Sequence, residues 1–255
     1  MLAHRSIAFF YRAWVKHRPI IGYEWAARRT ARLRQADGKV EKRTDDYSRY
    51  VLSLLGLGTP ALQQRLAVDD QNFVYYAGLF AQRRRPAGTL RALLADYFQL
   101  SEQTLHIEQF LEQVLPLPQS EQTELGEWNC DLGVSTVIGD AVEIENAKFR
   151  IVLGPLALAT FRQFLPPSSE HRTGERFRRM VQLTRLFVGP ELDFDIRLLL
   201  KKEEAYGCQL GGDSAGGTAI GVAAWLVNDR DALRDDLADS IFPSELAEAP
   251  RPLGN

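Results

Sequence analysis

The stretch from Asp140 to Pro166, DAVEIENAKFRIVLGPLALATFRQFLP, restricts the fold more than any other part of the 255-residue chain. Val142 and Ile144 alternate with Glu143 and Glu145, and Phe149, Ile151 and Leu153 alternate with Lys148, Arg150 and Val152. A period of two over each run predicts two short strands meeting as a hairpin near Asn146. Gly154-Pro155 then stops the second strand. Leu156, Phe161, Phe164 and Leu165 fall on one face of a short helix ended by Pro166-Pro167. Phe149, Ile151, Phe161 and Phe164 are candidate core.

Two segments that read as copies of one module flank this centre. The first, Gly88 to Gly126, runs helix (Leu90, Leu93, Leu94, Tyr97, Phe98), strand (Leu105, Ile107, Leu111), then a loop ending in Leu125-Gly126. The second, Gly174 to Gly211, keeps the order: helix (Phe177, Met180, Val181, Leu183, Leu186, Phe187), strand (Phe194, Ile196, Leu198, Leu200), loop and Leu210-Gly211. A further glycine step follows each, Leu132-Gly133 and Ile220-Gly221. The copies lie too far apart for a solenoid, which suggests one module used twice, the alternative being two helix-strand pairs alike by chance.

The N-terminal half reads as helical. Ile7, Phe10, Tyr11 and Trp14 give an amphipathic helix over Ser6 to His17, of a kind normally buried in a core, which points to a preceding segment that is missing or supplied by a partner. Tyr50, Val51, Leu54 and Leu55 form the buried side of a helix from Asp46 to Leu57. Thr59-Pro60 is read as a cap and first turn opening a helix through Leu62 and Leu66. Phe73, Tyr76, Ala77 and Phe80 mark a helix over Asp69 to Phe80. At the far end, Leu233, Leu237 and Ile241 suggest an acidic amphipathic helix beginning at Asp229, before a proline-rich tail expected to be mobile. The fold class is therefore α+β. A helical region, 1–87, precedes the first module, 88–139. The hairpin and helix, 140–173, the second module, 174–228, and an acidic helix with tail, 229–255, follow.

Several functions are disfavoured by the residues present. Composition is that of an ordinary globular protein, and the net charge of −2 argues against a polyanion-binding role for the chain as a whole. The basic run from Arg28 to Arg43 lacks the interleaved aromatics that stack on bases, and reads as a solvated helix face or connection. No apolar run reaches membrane-span length and no signal peptide is recognisable, so a cytoplasmic protein is expected. Cys130 and Cys208 have no neighbours at metal-ligand spacing. Gly212-Asp213-Ser214-Ala215-Gly216 matches the G-x-S-x-G elbow of serine ester hydrolases, the alternative reading of function. All four histidines precede Ser214, however, whereas the base follows the serine in that fold, so the chain is read as having no catalytic residues. Asp193 and Asp195 share one face of a strand and read as its wet side.

Six blocks in order carry a family resemblance: FFYRAW at Phe9 to Trp14, LLGLGTPAL at Leu54 to Leu62, YYAGLFAQRRRPAGTLRALLADYF at Tyr75 to Phe98, KFRIVLGPL at Lys148 to Leu156, FLP at Phe164 to Pro166 and ELDFDIRLLL at Glu191 to Leu200. Together they resemble TssG (also ImpH or VasB), a type VI secretion baseplate family, over about Ala3 to Leu226. The family's usual sequence before the FYRAW-like helix is expected to be absent.

The resemblance implies a structural, non-enzymatic subunit that joins TssF-like proteins in a baseplate wedge assembled at the inner membrane. Two foot-like extensions would hold two TssK-like trimers, with a TssE-like sheath initiator as a further partner. Neither a cofactor, a metal, nucleic acid nor membrane insertion is implied. Two copies of one module suit two copies of one partner. On that basis the partner contacts are placed on the module loops, at Leu115, Pro116, Leu117 and Trp128 in the first and Tyr206, Leu210 and Ile220 in the second.

Overall fold

A computed structural model of the chain describes residues 2–37, 45–167, 174–204 and 237–248. It divides into two compact units, 1–85 and 86–255.

In the first unit α1 (Leu2–Lys16) and α2 (Pro19–Asp37) pack together, with Tyr11 against Trp25 at 6.0 Å between ring centroids. The helix read over Ser6 to His17 is thus present, but Ile7, Phe10, Tyr11 and Trp14 are exposed among the described residues. Next comes α3 (Asp46–Leu54), whose start is fixed where Asp45 accepts the Ser48 N–H at 3.1 Å; its buried residues are Ser48 and Leu52, and the expected buried side is not inward, Tyr50 and Leu54 being exposed and Val51 and Leu55 half-buried. The helix expected through Leu62 and Leu66 is a single 3-10 turn, Pro60–Leu62: Thr59 makes no side-chain cap, and Gln64 at φ +59° turns the chain away. The helix expected over Asp69 to Phe80 is broken at Tyr76 into α4 (Asp70–Tyr75) and α5 (Ala77–Phe80). Phe73, Tyr76 and Phe80 are nevertheless buried, and with Leu52 and Val68 they form this unit's small core.

The second unit is built on a four-stranded mixed sheet of order β1-β2-β3-β4. Its strands are β1 (Leu105–Pro116), β2 (Ala141–Leu156), β3 (Asp193–Leu200) and β4 (Leu237–Pro243). β2 runs antiparallel to β1 and parallel to β3. The helices are α6 (Ala87–Phe98), α7 (Leu158–Gln163) and α8 (Glu175–Val188). α6 precedes β1 and α8 precedes β3 in the chain, and the two strands border β2 on opposite sides.

Alternation assigns the faces of the sheet. Phe149, Ile151 and Leu153 on β2 and Phe194, Ile196 and Leu198 on β3 are direct register partners, and all six are buried. Phe242 on β4 joins this face opposite Ile196, and Phe177 of α8 meets it edge-on at 6.2 Å. α7 packs against both β3 and α8. In α8 the apolar stripe Phe177, Met180, Val181, Phe187 follows helical spacing and is buried throughout. Phe98 of α6 meets Phe164 after α7 edge-on at 5.2 Å, so the short helix is sealed into the same core. Burying each such phenylalanine contributes on the order of 2–3 kcal/mol.

Three expectations are corrected here. The hairpin near Asn146 does not form: β2 is one strand, and Asn146 lies in an irregularity where Glu145 to Ala147 face the single residue Glu112. Together with the irregularity on β1 at Gln109–Phe110, the register shifts by a net one residue, and the inward parity changes from Val142 and Ile144, which are half-buried, to Phe149 and Ile151, which are buried. Asp195 is not on a wet face: it is 6 % exposed, and Lys148 Nζ at 2.9 Å and Arg150 Nη2 at 3.5 Å compensate its charge. Leu237 to Pro243 is strand, with Phe242 inward and Ile241 outward, where a helix with Leu237 and Ile241 on its buried side was expected. The tail expected to be mobile from Pro243 onward instead begins ordered: Pro243 ends β4, and Ser244–Glu248 is a 3-10 turn with Ser244 and Ala247 buried; residues 229–236 and 249–255 lie outside the described residues.

Candidate site: an apolar and acidic arm

β2 pairs with β3 only from Lys148 onward, whereas its pairing with β1 continues through Gln113↔Ile144 to Pro116↔Ala141. The last residues of β1 and the first of β2 are therefore a two-stranded ribbon leaving the sheet. Residues 117–140 close its end. Where ribbon meets loop, the Leu117 N–H donates to the Asp140 carbonyl at 2.7 Å.

The loop carries its own frame of hydrogen bonds. Thr123 Oγ1 donates to the Val137 carbonyl at 2.8 Å and accepts the Val137 N–H at 3.0 Å, tying together residues fourteen apart. Gln122 Nε2 donates to the Leu117 carbonyl at 2.9 Å. Glu124 and Trp128 exchange backbone hydrogen bonds of 3.0 and 3.1 Å across a tight turn.

What this frame displays is apolar. Leu125 is 95 % exposed, Leu132 92 %, Ile138 93 % and Trp128 66 %. Leu125, Leu132 and Ile138 each precede a glycine with positive φ, Gly126 at +86°, Gly133 at +78° and Gly139 at +106°. Each glycine turns the backbone in a way an L-residue resists, which leaves the preceding side chain at an outer corner with nothing folded over it. Side chains of this kind held clear of the core by a hydrogen-bonded loop form a surface suited to another protein.

The arm is also uniformly acidic. Between Arg91 and Lys148 the sequence has eleven Asp or Glu and no Lys or Arg. Of these Glu108 is drawn into the sheet, 3.8 Å from Arg150, while Glu121, Glu124, Glu127 and Asp131 stand exposed around the apolar tip. An arm that projects apolar side chains among carboxylates on a two-stranded stem presents a docking element.

A family model for TssG of type VI secretion matches residues 1–227. This chain belongs to the TssG family. A chain in a cryo-electron microscopy structure of the type VI secretion system TssK-TssF-TssG baseplate subcomplex is similar to it at 21% sequence identity with a TM-score of 0.64, covering 94% of this chain and 89% of that one, which shows a common fold. No curated protein matches.

In this TssG-family chain the structure brings Leu115, Pro116, Leu117 and Trp128 onto the one arm. Leu115 and Pro116 are exposed at the end of β1, Leu117 is half-buried with its N–H bonded to Asp140, and Trp128 is at the turn. Tyr206, Leu210 and Ile220 lie outside the described residues, as do Cys208 and the serine motif around Ser214. Sequence reasoning passed over Leu125, Leu132, Val134 and Ile138 as display residues, although the three apolar-glycine steps are visible in the sequence. The net charge of −2 also concealed the long run without a basic residue. No helix among the described residues is long and apolar enough to cross a membrane.

Proposed function

We propose that this TssG-family chain is a structural, non-enzymatic subunit of the type VI secretion baseplate, assembled at the inner membrane with TssF-like and TssK-like proteins, and that the β1–β2 arm is a foot that holds a TssK-like trimer. The observation that carries the assignment is the exposed apolar tip on its hydrogen-bonded frame. Membership of the family and the fold shared with a chain of the TssK-TssF-TssG subcomplex support the partner assignment. The second module, to which Tyr206, Leu210 and Ile220 belong in the sequence, is the corresponding foot for a second trimer. A TssE-like sheath initiator is a further partner. The exposed aromatic face of α1 fits a chain that buries apolar surface on assembly.

Co-expression with a TssF-like and a TssK-like protein tests this. The TssK-like protein is expected to co-purify with the wild-type chain and to be depleted at least tenfold when Leu125→Ser and Trp128→Ser are combined, the TssF-like protein being retained. Full retention of the TssK-like protein by that variant rules the arm out as the foot.

A further inference from the structure

Charge in this chain is segregated to a degree that its net value of −2 hides. Residues 1–85 hold sixteen Lys or Arg against seven Asp or Glu, whereas residues 92–147 hold eleven acids and no Lys or Arg. The arm is the centre of the acidic block, and Glu121, Glu124, Glu127 and Asp131 are exposed beside Leu125 and Trp128. The chain supplies no cation within the arm to neutralise them. A wholly apolar receiving surface would leave these carboxylates partly desolvated and unpaired on docking, which is costly. An acidic receiving surface would repel them.

We infer that the arm docks into an apolar groove rimmed by lysine and arginine on its partner protein, and that attraction between the acidic tip and the basic rim sets the rate of docking. This rests on the reading of the arm as a partner-binding foot. The apolar corners supply the buried contact. The carboxylates on the rim steer the approach and fix which way round the tip enters, since rim charges act chiefly on association rate and orientation. The basic N-terminal unit of a second copy is the rival receiver.

The experiment measures association of the TssK-like partner with the full chain, held in its complex with the TssF-like protein, from about 50 to about 500 mM NaCl, a range over which screening shortens from roughly 14 Å to 4 Å. The wild-type association rate is expected to fall at least tenfold across this range. The combined variant Glu121→Gln, Glu124→Gln, Glu127→Gln and Asp131→Asn is expected to associate slowly even at low salt and to change less than threefold. Salt-independent rates equal in both proteins, with Leu125→Ser/Trp128→Ser still abolishing binding, would overturn the basic rim while leaving the foot in place. Unchanged binding by the apolar variant would instead overturn the foot itself. Salt-sensitive self-association of the chain without partner, seen by light scattering and lost in the charge-neutral variant, would assign the arm to a second copy and overturn the inference.

Discussion

The buried carboxylate of Asp195 offers the sharpest test of the sheet. It lies between Lys148 at 2.9 Å and Arg150 at 3.5 Å, and Arg150 reaches on to Glu108 of the neighbouring strand at 3.8 Å, so three strands are tied by one run of alternating charge. At an effective dielectric near 20, unit charges at these separations attract by roughly 5 kcal/mol per pair. Desolvation of a carboxylate this deeply buried cancels several kcal/mol of that. Replacing Asp195 with asparagine removes the attraction and leaves two part-buried cations facing each other. Breaking a buried pair costs about 3–5 kcal/mol. Lys148 and Arg150 keep 25 % and 20 % side-chain exposure and Glu108 remains, so partial hydration brings the expected loss to about 2–3 kcal/mol. In thermal unfolding of the full chain this is a drop of roughly 4–12 °C. A double-mutant cycle with Lys148→Met separates the pair from packing: the coupling is expected to exceed 1 kcal/mol. An Asp195→Asn protein within 0.5 kcal/mol of wild type, or a cycle with no coupling, would refute the claim that this ladder holds the strands together.

Thr184 of α8 is fully buried and its hydroxyl has no hydrogen-bond partner among the described residues; Thr184→Val should raise stability by about 1 kcal/mol, read as a higher urea midpoint at unchanged slope. Gly154 has φ +144°, and a Cβ there would meet Leu199, with its carbonyl oxygen 2.7 Å away, so Gly154→Ala should cost more than about 2 kcal/mol by the same measurement. Thr123→Val removes the clamp to Val137 on the arm: melting should move by less than about 0.5 kcal/mol-equivalent, while retention of the TssK-like protein falls because the tip is no longer held in one shape.

How far the sequence announces these features depends on what periodicity can encode. The stripe on α8 is legible because Phe177, Met180, Val181 and Phe187 satisfy a helical period that a strand cannot. Leu237 and Ile241 are four apart, a spacing that satisfies both periods, and pairing with β3 selects the strand. At Asn146 a change of buried parity is visible, but a hairpin turn and a bulge produce the same change, and only the continued pairing of β1 along both halves of β2 decides between them. Alternation sets Asp195 opposite to Phe194 and Ile196 on β3, yet it carries no information on whether that side is wet or on what compensates a charge there. Its partners are Lys148 and Arg150, far away in sequence and brought alongside by the parallel register. On the arm, Pro116, Leu117 and Trp128 could be picked out by residue type. Leu125, Leu132 and Ile138 look like ordinary core residues until the glycine after each is seen to turn the backbone away.

Among the described residues the stem of the arm pairs with no third strand. Gln113 to Pro116 and Ala141 to Ile144 bond only to each other among the described strands, while the crossover from β2 to β3 begins beyond them. Two residues inserted into each stem strand would carry the tip outward by about 7 Å with its facing preserved. Stem length is thus an adjustable spacer: the reach between subunits can be reset without rebuilding the body that bears it.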